Sequence, residues 1–222
     1  MPTHLDSLHD DSLPDGCADS AGRFDAIIVA GGRGSRLGGV DKAAVVIGDT
    51  TLLDRALAAV AGAAQVAVVG RDLRCSVSEF PSDGGPVAGI AAGLSALNRD
   101  DAPAVVVLLA VDIPDAASAV PLLCEALRWA DNDVDGACLT RDGHPQWLVS
   151  ALRCDRLNRA LNRLRDDAGS MRNQSVRRLA GMLTLHLLPD TARASEDVDT
   201  WADHARIQAR IDRDRFDREA VT

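Results

Sequence analysis

The spacing of apolar and polar residues changes period several times along the chain. Residues 24–30 form an almost unbroken apolar run, which predicts a strand buried on both faces. A second short strand is expected over 43–47, stopped by the turn pair Gly48-Asp49. Helical spacing follows: Leu53, Ala56, Leu57 and Val60 fall on one face, and Thr51 stands where a helix N-cap is needed. A third strand is expected over 66–69, and a helix opened by Pro86 over 86–97. The run 104–110 is the most hydrophobic in the chain and predicts a central strand. Val120, Leu123, Cys124 and Leu127 mark a further amphipathic helix. Alternation of this kind predicts an α/β fold: one Rossmann-like domain, its mainly parallel sheet covered by helices on both faces. No internal repeat and no Pro- or Ser-rich linker divides the chain. The domain is expected over 24–212, after a polar, acidic and disordered leader (1–23) and before a short tail (213–222).

Composition narrows the picture. Hydrophobic residues make up 46% of the 222, enough for a full core. Only 3% are aromatic and there is no Tyr, so that core is aliphatic. A formal charge of −9 argues against nucleic acid as a partner. Cys17, Cys75, Cys124, Cys138 and Cys154 are scattered without a Cys-x-x-Cys pair, which favours reduced, mostly buried thiols. No run approaches the ~18 apolar residues of a membrane span, and the leader lacks the apolar segment of a signal peptide. The expected location is the cytoplasm, with no membrane partner.

The candidate chemistry begins where the first strand ends. Residues 31–42 hold five glycines together with Arg33, Arg36 and Lys42. Glycines let backbone N–H groups close around an anion, and the cations neutralise it. The natural ligand is a polyphosphate. Gly34 and Gly39 have Walker spacing, but Val40 follows where lysine is required. Gly32 and Gly34 begin a dinucleotide fingerprint that Leu37 breaks. A plain glycine-rich surface loop would not need Arg36 and Lys42 at fixed offsets from a buried strand.

What the run does match is Ala-Gly-Gly-x-x-x-Arg-(Leu/Met)-Gly-(Gly)-x-Asp-Lys, reproduced in full from Ala30 to Lys42. In this form it resembles the molybdenum cofactor guanylyltransferase family of nucleotidyltransferases. The resemblance covers residues 24–205 and is most specific in the first half. It implies a fold of the nucleotide-diphospho-sugar transferase type. It also implies Mg²⁺-dependent transfer of GMP from GTP to the terminal phosphate of molybdopterin, with pyrophosphate released. Transient contact with enzymes that receive the product would follow.

Other segments fit the same scheme. Ligands of parallel sheets bind beyond the carboxyl ends of the strands, and Asp112 follows the central strand directly. Its carboxylate suits Mg²⁺, a hard ion held by one or two carboxylates plus phosphate oxygens. A helix cap is the competing role, for which Asp115 is better placed. Asp112 and Pro114 also match the family's Asp-x-Pro. The run 84–90 resembles the family's base- and ribose-binding segment. There Gly85 allows close backbone approach, and Asp83 can accept from the N1–H and amino groups of guanine; a ligand-free Gly-Gly-Pro turn competes. The family carries a His-Pro or similar turn near where the pterin enters, and this resemblance makes His144 an acceptor-binding candidate, against an ordinary hairpin; Arg172, in an arginine-rich run, suits an anionic acceptor, against a solvated basic face. Asp199 is a second metal candidate, or part of a helix cap. Related enzymes carry Asn-x-Asn-Thr-Pro or Asp-x-Asp-Thr-Pro at 197–201, and in the molybdopterin-specific members the asparagines contact the pterin. Here Asp197 and Asp199 stand in their place, and Trp201 replaces the proline.

The expected roles follow from charge. Ala30, Gly31, Gly32 and Gly34 cradle the phosphates, Arg36 balances the departing pyrophosphate, and Lys42 meets the α-phosphate. Two alternatives remain at this level. One is another nucleotidyltransferase of the same fold, acting on a sugar phosphate or phospholactate or using CTP; the cytidylyl branch usually shows Ala-Ala-Gly, so Gly31 counts against it. The other is a non-catalytic nucleotide-binding regulator, against which the intact Arg36, Lys42 and Asp112 weigh.

Overall fold

The computed structural model describes residues 23–30, 38–70, 77–78 and 84–219. The apolar runs become β1 (Asp25–Val29), β4 (Val66–Gly70) and β6 (Val105–Ala110), and Val77–Ser78 forms β5. These four strands are parallel. The second half adds β7 (Gly136–Arg141), β8 (His144–Arg153) and β9 (Leu185–Pro189). The full sheet has seven strands in the order β5-β4-β1-β6-β8-β7-β9. β8 lies antiparallel between β6 and β7, and β9 is parallel to β7.

Successive residues of β1 serve opposite faces, which is why the run had to be apolar throughout. Ala26 and Ile28 pack with Leu53 and Ala56 of α1 (Leu52–Ala59), with Val60 at its C-cap, and with Val120, Leu123 and Leu127 of α3 (Ala119–Trp129). Ile27 and Val29 pack with Val87 and Ile90 of α2 (Pro86–Ala96) and with Leu157, Leu161 and Leu164 of α4 (Cys154–Ala168). A third, smaller core joins Val45, Ile47 and Leu52 to Val198 and Ile207. It fastens α6 (Trp201–Glu219) onto the hairpin of β2 (Val46–Ile47) and β3 (Thr50–Thr51).

Several local expectations are met. Thr51 caps α1 by accepting from the Asp54 N–H at 3.1 Å. Pro86 opens α2 behind Gly85, whose φ of 85° favours glycine. Others need correction. Residues 43–47 are not one strand: Lys42–Ala44 form a 3-10 turn, stabilised by the Asp41 carboxylate accepting from the Ala43 N–H at 3.0 Å, and only Val46–Ile47 pair. Leu57 is 37% exposed, because the buried face of α1 is centred on Leu52, Leu53 and Ala56 and turns it to the flank. Asp115 stands at the N-cap position of the 3-10 turn Ala116–Ser118, but its carboxylate makes no capping bond and is taken by Arg210. The stretch expected as a tail continues α6 without a break from 213 to Glu219. Of the leader expected over 1–23, residues 1–22 lie outside the described residues. Among those described, no helix is long and apolar enough to cross a membrane.

Candidate active site

The chain runs from β1 outward to β4 and β5, then returns to place β6 on the other side of β1. The carboxyl ends of β1 and β6 therefore border a crevice at the point where strand order reverses, the usual ligand position in such sheets. Ala30 stands at the end of β1 and Asp112 just beyond β6. Both line a cavity of about 400 Å³ that also takes in Lys42, Pro86, Gln146, Trp147, Val176 and Asp197.

Lys42 is the focus of this cavity. Its ammonium donates to Asp112 Oδ2 at 2.7 Å and to Asp199 Oδ1 at 2.6 Å. It is also the only lysine in the chain. Burial alone would lower its pKa, but the charge and hydrogen bonds of Asp112 and Asp199 outweigh this and hold it above the ordinary lysine value. The Asp112 carboxyl is pushed up by burial against the pull of Lys42, with Asp197 and Asp199 adding to the rise. Both shifts have the sign expected where carboxylates outnumber the cation between them. Asp197 is itself paired with Arg141 at 2.8 Å, and it also lines an adjoining polar hollow of about 610 Å³.

Local structure explains these positions. The Asp41-capped turn presents Lys42 at the foot of the β2–β3 hairpin. The cap of α6 is Thr200: its hydroxyl oxygen accepts from the Asp203 N–H at 3.1 Å, and the Asp203 carboxylate accepts from the Thr200 N–H at 3.0 Å. The capping role is thereby filled, and the Asp199 carboxylate turns to Lys42 instead. Asp112 is likewise engaged by Lys42.

The divalent cation implied by the signature can be tested against these donors. Among the described residues, no group of three or more His, Cys, Asp or Glu side chains is placed to hold a metal ion. Two carboxylates converging on one cationic group are the donor set that Mg²⁺ uses when phosphate oxygens complete its shell. The Asp112 and Asp199 carboxylates, converging on the Lys42 ammonium, have the chemistry of such a pair.

The remaining candidates are less central. Gly85 sits at the start of α2, where the Gly84 carbonyl accepts from the Asn173 N–H at 2.7 Å. That bond lays the 170–175 loop, which carries the exposed Arg172, against the glycine pair. His144 is exposed at the β7–β8 hairpin, whose turn residues Asp142 and Gly143 have φ of 51° and 76°; it does not line the cavity. Gly31, Gly32, Gly34, Arg36 and Asp83 lie outside the described residues. Gln146, Trp147 and Val176 line the cavity without any sequence signal that marks them as site residues. Gln146 and Trp147 reach the cavity because β8 is antiparallel, so that its start lies beside the end of β6, with Val149 opposite Leu109. No local pattern encodes that placement.

The fold is that of an α/β domain of the nucleotidyltransferase type. Residues 26–182 match the MobA-like NTP transferase domain family, and the chain belongs to that family. A curated relative, the molybdenum cofactor guanylyltransferase of Acidiphilium cryptum (strain JF-5), is 41% identical over 88 residues. That match takes in 35% of this chain and 45% of the relative, less than half its length. The solved molybdopterin-guanine dinucleotide biosynthesis protein A of Archaeoglobus fulgidus superposes with a TM-score of 0.63 at 18% identity, covering 85% of this chain and 99% of that one. The 2-C-methyl-D-erythritol 4-phosphate cytidylyltransferase of Thermus thermophilus gives 0.58 at 18% identity, covering 83% and 97%. At such identities the structural likeness is one of fold.

Proposed function

We propose that this chain transfers GMP from GTP to the terminal phosphate of molybdopterin and releases pyrophosphate. The observation that carries the reading is Lys42 held between Asp112 and Asp199 at the switch point of the sheet. An oxygen of the acceptor phosphate attacks the α-phosphorus, and the bond from that phosphorus to the oxygen bridging toward the β-phosphorus breaks. The nucleophile is already an anion, so no general base is needed. Catalysis then rests on positioning and charge. Lys42 stays protonated at neutral pH and turns from its carboxylates to the α-phosphate, where negative charge grows. Arg36 balances the leaving pyrophosphate, and the backbone of Ala30, Gly31, Gly32 and Gly34 cradles the phosphate chain. Mg²⁺ held by Asp112 and Asp199 would supply further charge neutralisation at the phosphates. Asp83 and Gly85 take the base, and Arg172 and His144 serve the acceptor.

The similarity to a guanylyltransferase and the guanine-matching carboxylate of Asp83 support GTP as the donor. The acidic pair Asp197 and Asp199 favours one second reading: the same nucleotidyl transfer to a different acceptor. The test is pyrophosphate release with each of the four nucleoside triphosphates, with and without molybdopterin. Turnover is expected with GTP and molybdopterin together. Turnover with CTP at an equal or greater rate would overturn the guanylyl assignment, and GTP turnover with another phosphorylated acceptor alone would overturn molybdopterin.

A further inference from the structure

Between β7 and β8 the pairing slips: Cys138 is opposite Ser150 and Thr140 opposite Pro145, so that Leu139 alone faces the four residues 146–149. A bulge of this kind bends its strand and re-aims side chains, and it recurs beside binding sites. Two bonds fasten it. The buried Ser150 hydroxyl donates to the Trp147 carbonyl at 3.0 Å, and the Gln146 amide donates to the His144 carbonyl at 2.9 Å. On its other side β8 has Val149 opposite Leu109. Trp147, two residues earlier, therefore stands level with the segment that carries Asp112, and both residues line the cavity.

Trp147 is half-buried there. The chain's other two tryptophans have partners: Arg128 lies over Trp129, and Trp201 meets His204 edge-on. Among the described residues no ring or cation covers Trp147 in this way. Its neighbours in the cavity wall include Leu148, Val149 and Val176, whereas Lys42, Asp112 and Asp197 supply charge. Such a lining suits a ligand with a flat apolar part and an anionic part. Strand order says which ligand. Gly85 and Pro86 open α2, which packs on β1 and β4, and β8 lies across β6 from these strands. Under the reaction proposed above, the donor fills the β1 side and its α-phosphate meets Lys42, which leaves β8 to the acceptor. We propose that Trp147 is the platform on which a flat heteroaromatic ring of the acceptor stacks, so that the acceptor is a phosphorylated heterocycle and not a sugar phosphate or phospholactate. This inference rests on the nucleotidyl-transfer reading of the site.

The experiment is calorimetry of acceptor binding to the full chain in the presence of α,β-methylene-GTP and Mg²⁺, with neopterin monophosphate as the planar probe and inorganic phosphate as the control. Trp147→Leu keeps apolar bulk but removes the aromatic face. It is expected to weaken neopterin monophosphate binding by about 10- to 100-fold, the range typical of losing an aromatic platform beneath a base. Trp147→Phe should recover part of that loss, and GTP affinity should stay unchanged in both variants. In turnover with molybdopterin, KM for the acceptor should rise more than kcat falls. A second measurement keeps Trp147 in place. In the Trp129→Phe/Trp201→Phe chain Trp147 is the one indole left, and acrylamide should quench its emission less once neopterin monophosphate is bound, whereas GTP alone should not shield it. Molybdopterin turnover with an unchanged acceptor KM in Trp147→Leu would overturn the role of Trp147 and leave the molybdopterin reading standing. Weakened GTP binding with unchanged pterin affinity would give the ring to the donor and overturn the inference as well. So would a wild type that binds inorganic phosphate as tightly as neopterin monophosphate. Transfer by the wild type to a sugar phosphate but not to molybdopterin would defeat both readings.

Discussion

At the scale of single residues, Lys42 governs the site. Its ammonium is paired on two sides and 15% exposed. A lysine in that position is held charged, and a charged donor next to a reacting phosphate stabilises the transition state more than the ground state. Lys42→Ala should therefore lower turnover by about two to three orders of magnitude while weakening GTP binding far less. Single-turnover kinetics and calorimetry separate the two effects, and near-normal turnover in a folded variant would remove Lys42 from the mechanism. The offset of Lys42 from β1 was legible in the sequence, because signature and strand are contiguous. The partners were legible only as candidates. Asp112 and Asp199 lie 70 and 157 residues away, and each had a capping role that local sequence could not dismiss. Thr200 resolves the second case by taking the α6 cap itself.

At the scale of elements, α2 shows how closely the helices must approach the sheet to place the site. A Cβ added at Gly93 would lie 2.8 Å from Ile27 Cγ2 and 3.0 Å from Val69 Cγ2. Ile27 and Val69 are fully buried and belong to the same packed face, so neither has open space into which to move. Alanine gains up to about 1 kcal/mol over glycine in a helix interior. Overpacking a tight core costs about 1–3 kcal/mol. Gly93→Ala is therefore expected to be net destabilising, seen as a lower urea midpoint at unchanged slope. A raised midpoint would show that α2 sits more loosely than its packing implies. Because Gly85 and Pro86 open the same helix, the displacement should also weaken nucleotide binding. Periodicity located α2 and its proline. It misjudged 43–47, where a two-residue strand and a capped turn are too short to carry a period, and it gave no sign of α6, whose exposed, charged end resembles a tail.

At the scale of the whole molecule, burial sets the behaviour of the thiols. Cys124 and Cys154 are pushed up to about 11 and Cys138 to about 12, in each case chiefly by burial, from an ordinary value of 9.0. Only thiolates react with alkylating reagents. At pH 8 the reactive fraction should therefore be about a hundredfold lower at Cys124 and Cys154, and lower still at Cys138, than in the unfolded chain. Iodoacetamide labelling read by peptide mass should leave all three unmodified in the native protein and modify them quickly in urea. Native labelling at the unfolded rate would contradict the packing of α3, β7 and α4 described above.

What is local could be read in the chain: that β1 is buried on both faces, that β4 is a strand and β6 a central one, that Thr51 caps α1 and Pro86 opens α2, and that a glycine-rich signature follows the first strand. These features depend on the period of apolar residues and on side chains within a few positions of one another. Tertiary structure alone decided that β8 enters antiparallel beside β6, bringing Gln146 and Trp147 to the cavity. It also decided that α6 closes over the β2–β3 hairpin and delivers Asp199 to Lys42. Such meetings depend on strand order and on which distant faces bury each other, and the same local periods are compatible with many orders of strands. One lysine between two aspartates is therefore a property of the folded sheet, although each of the three residues can be read in the chain.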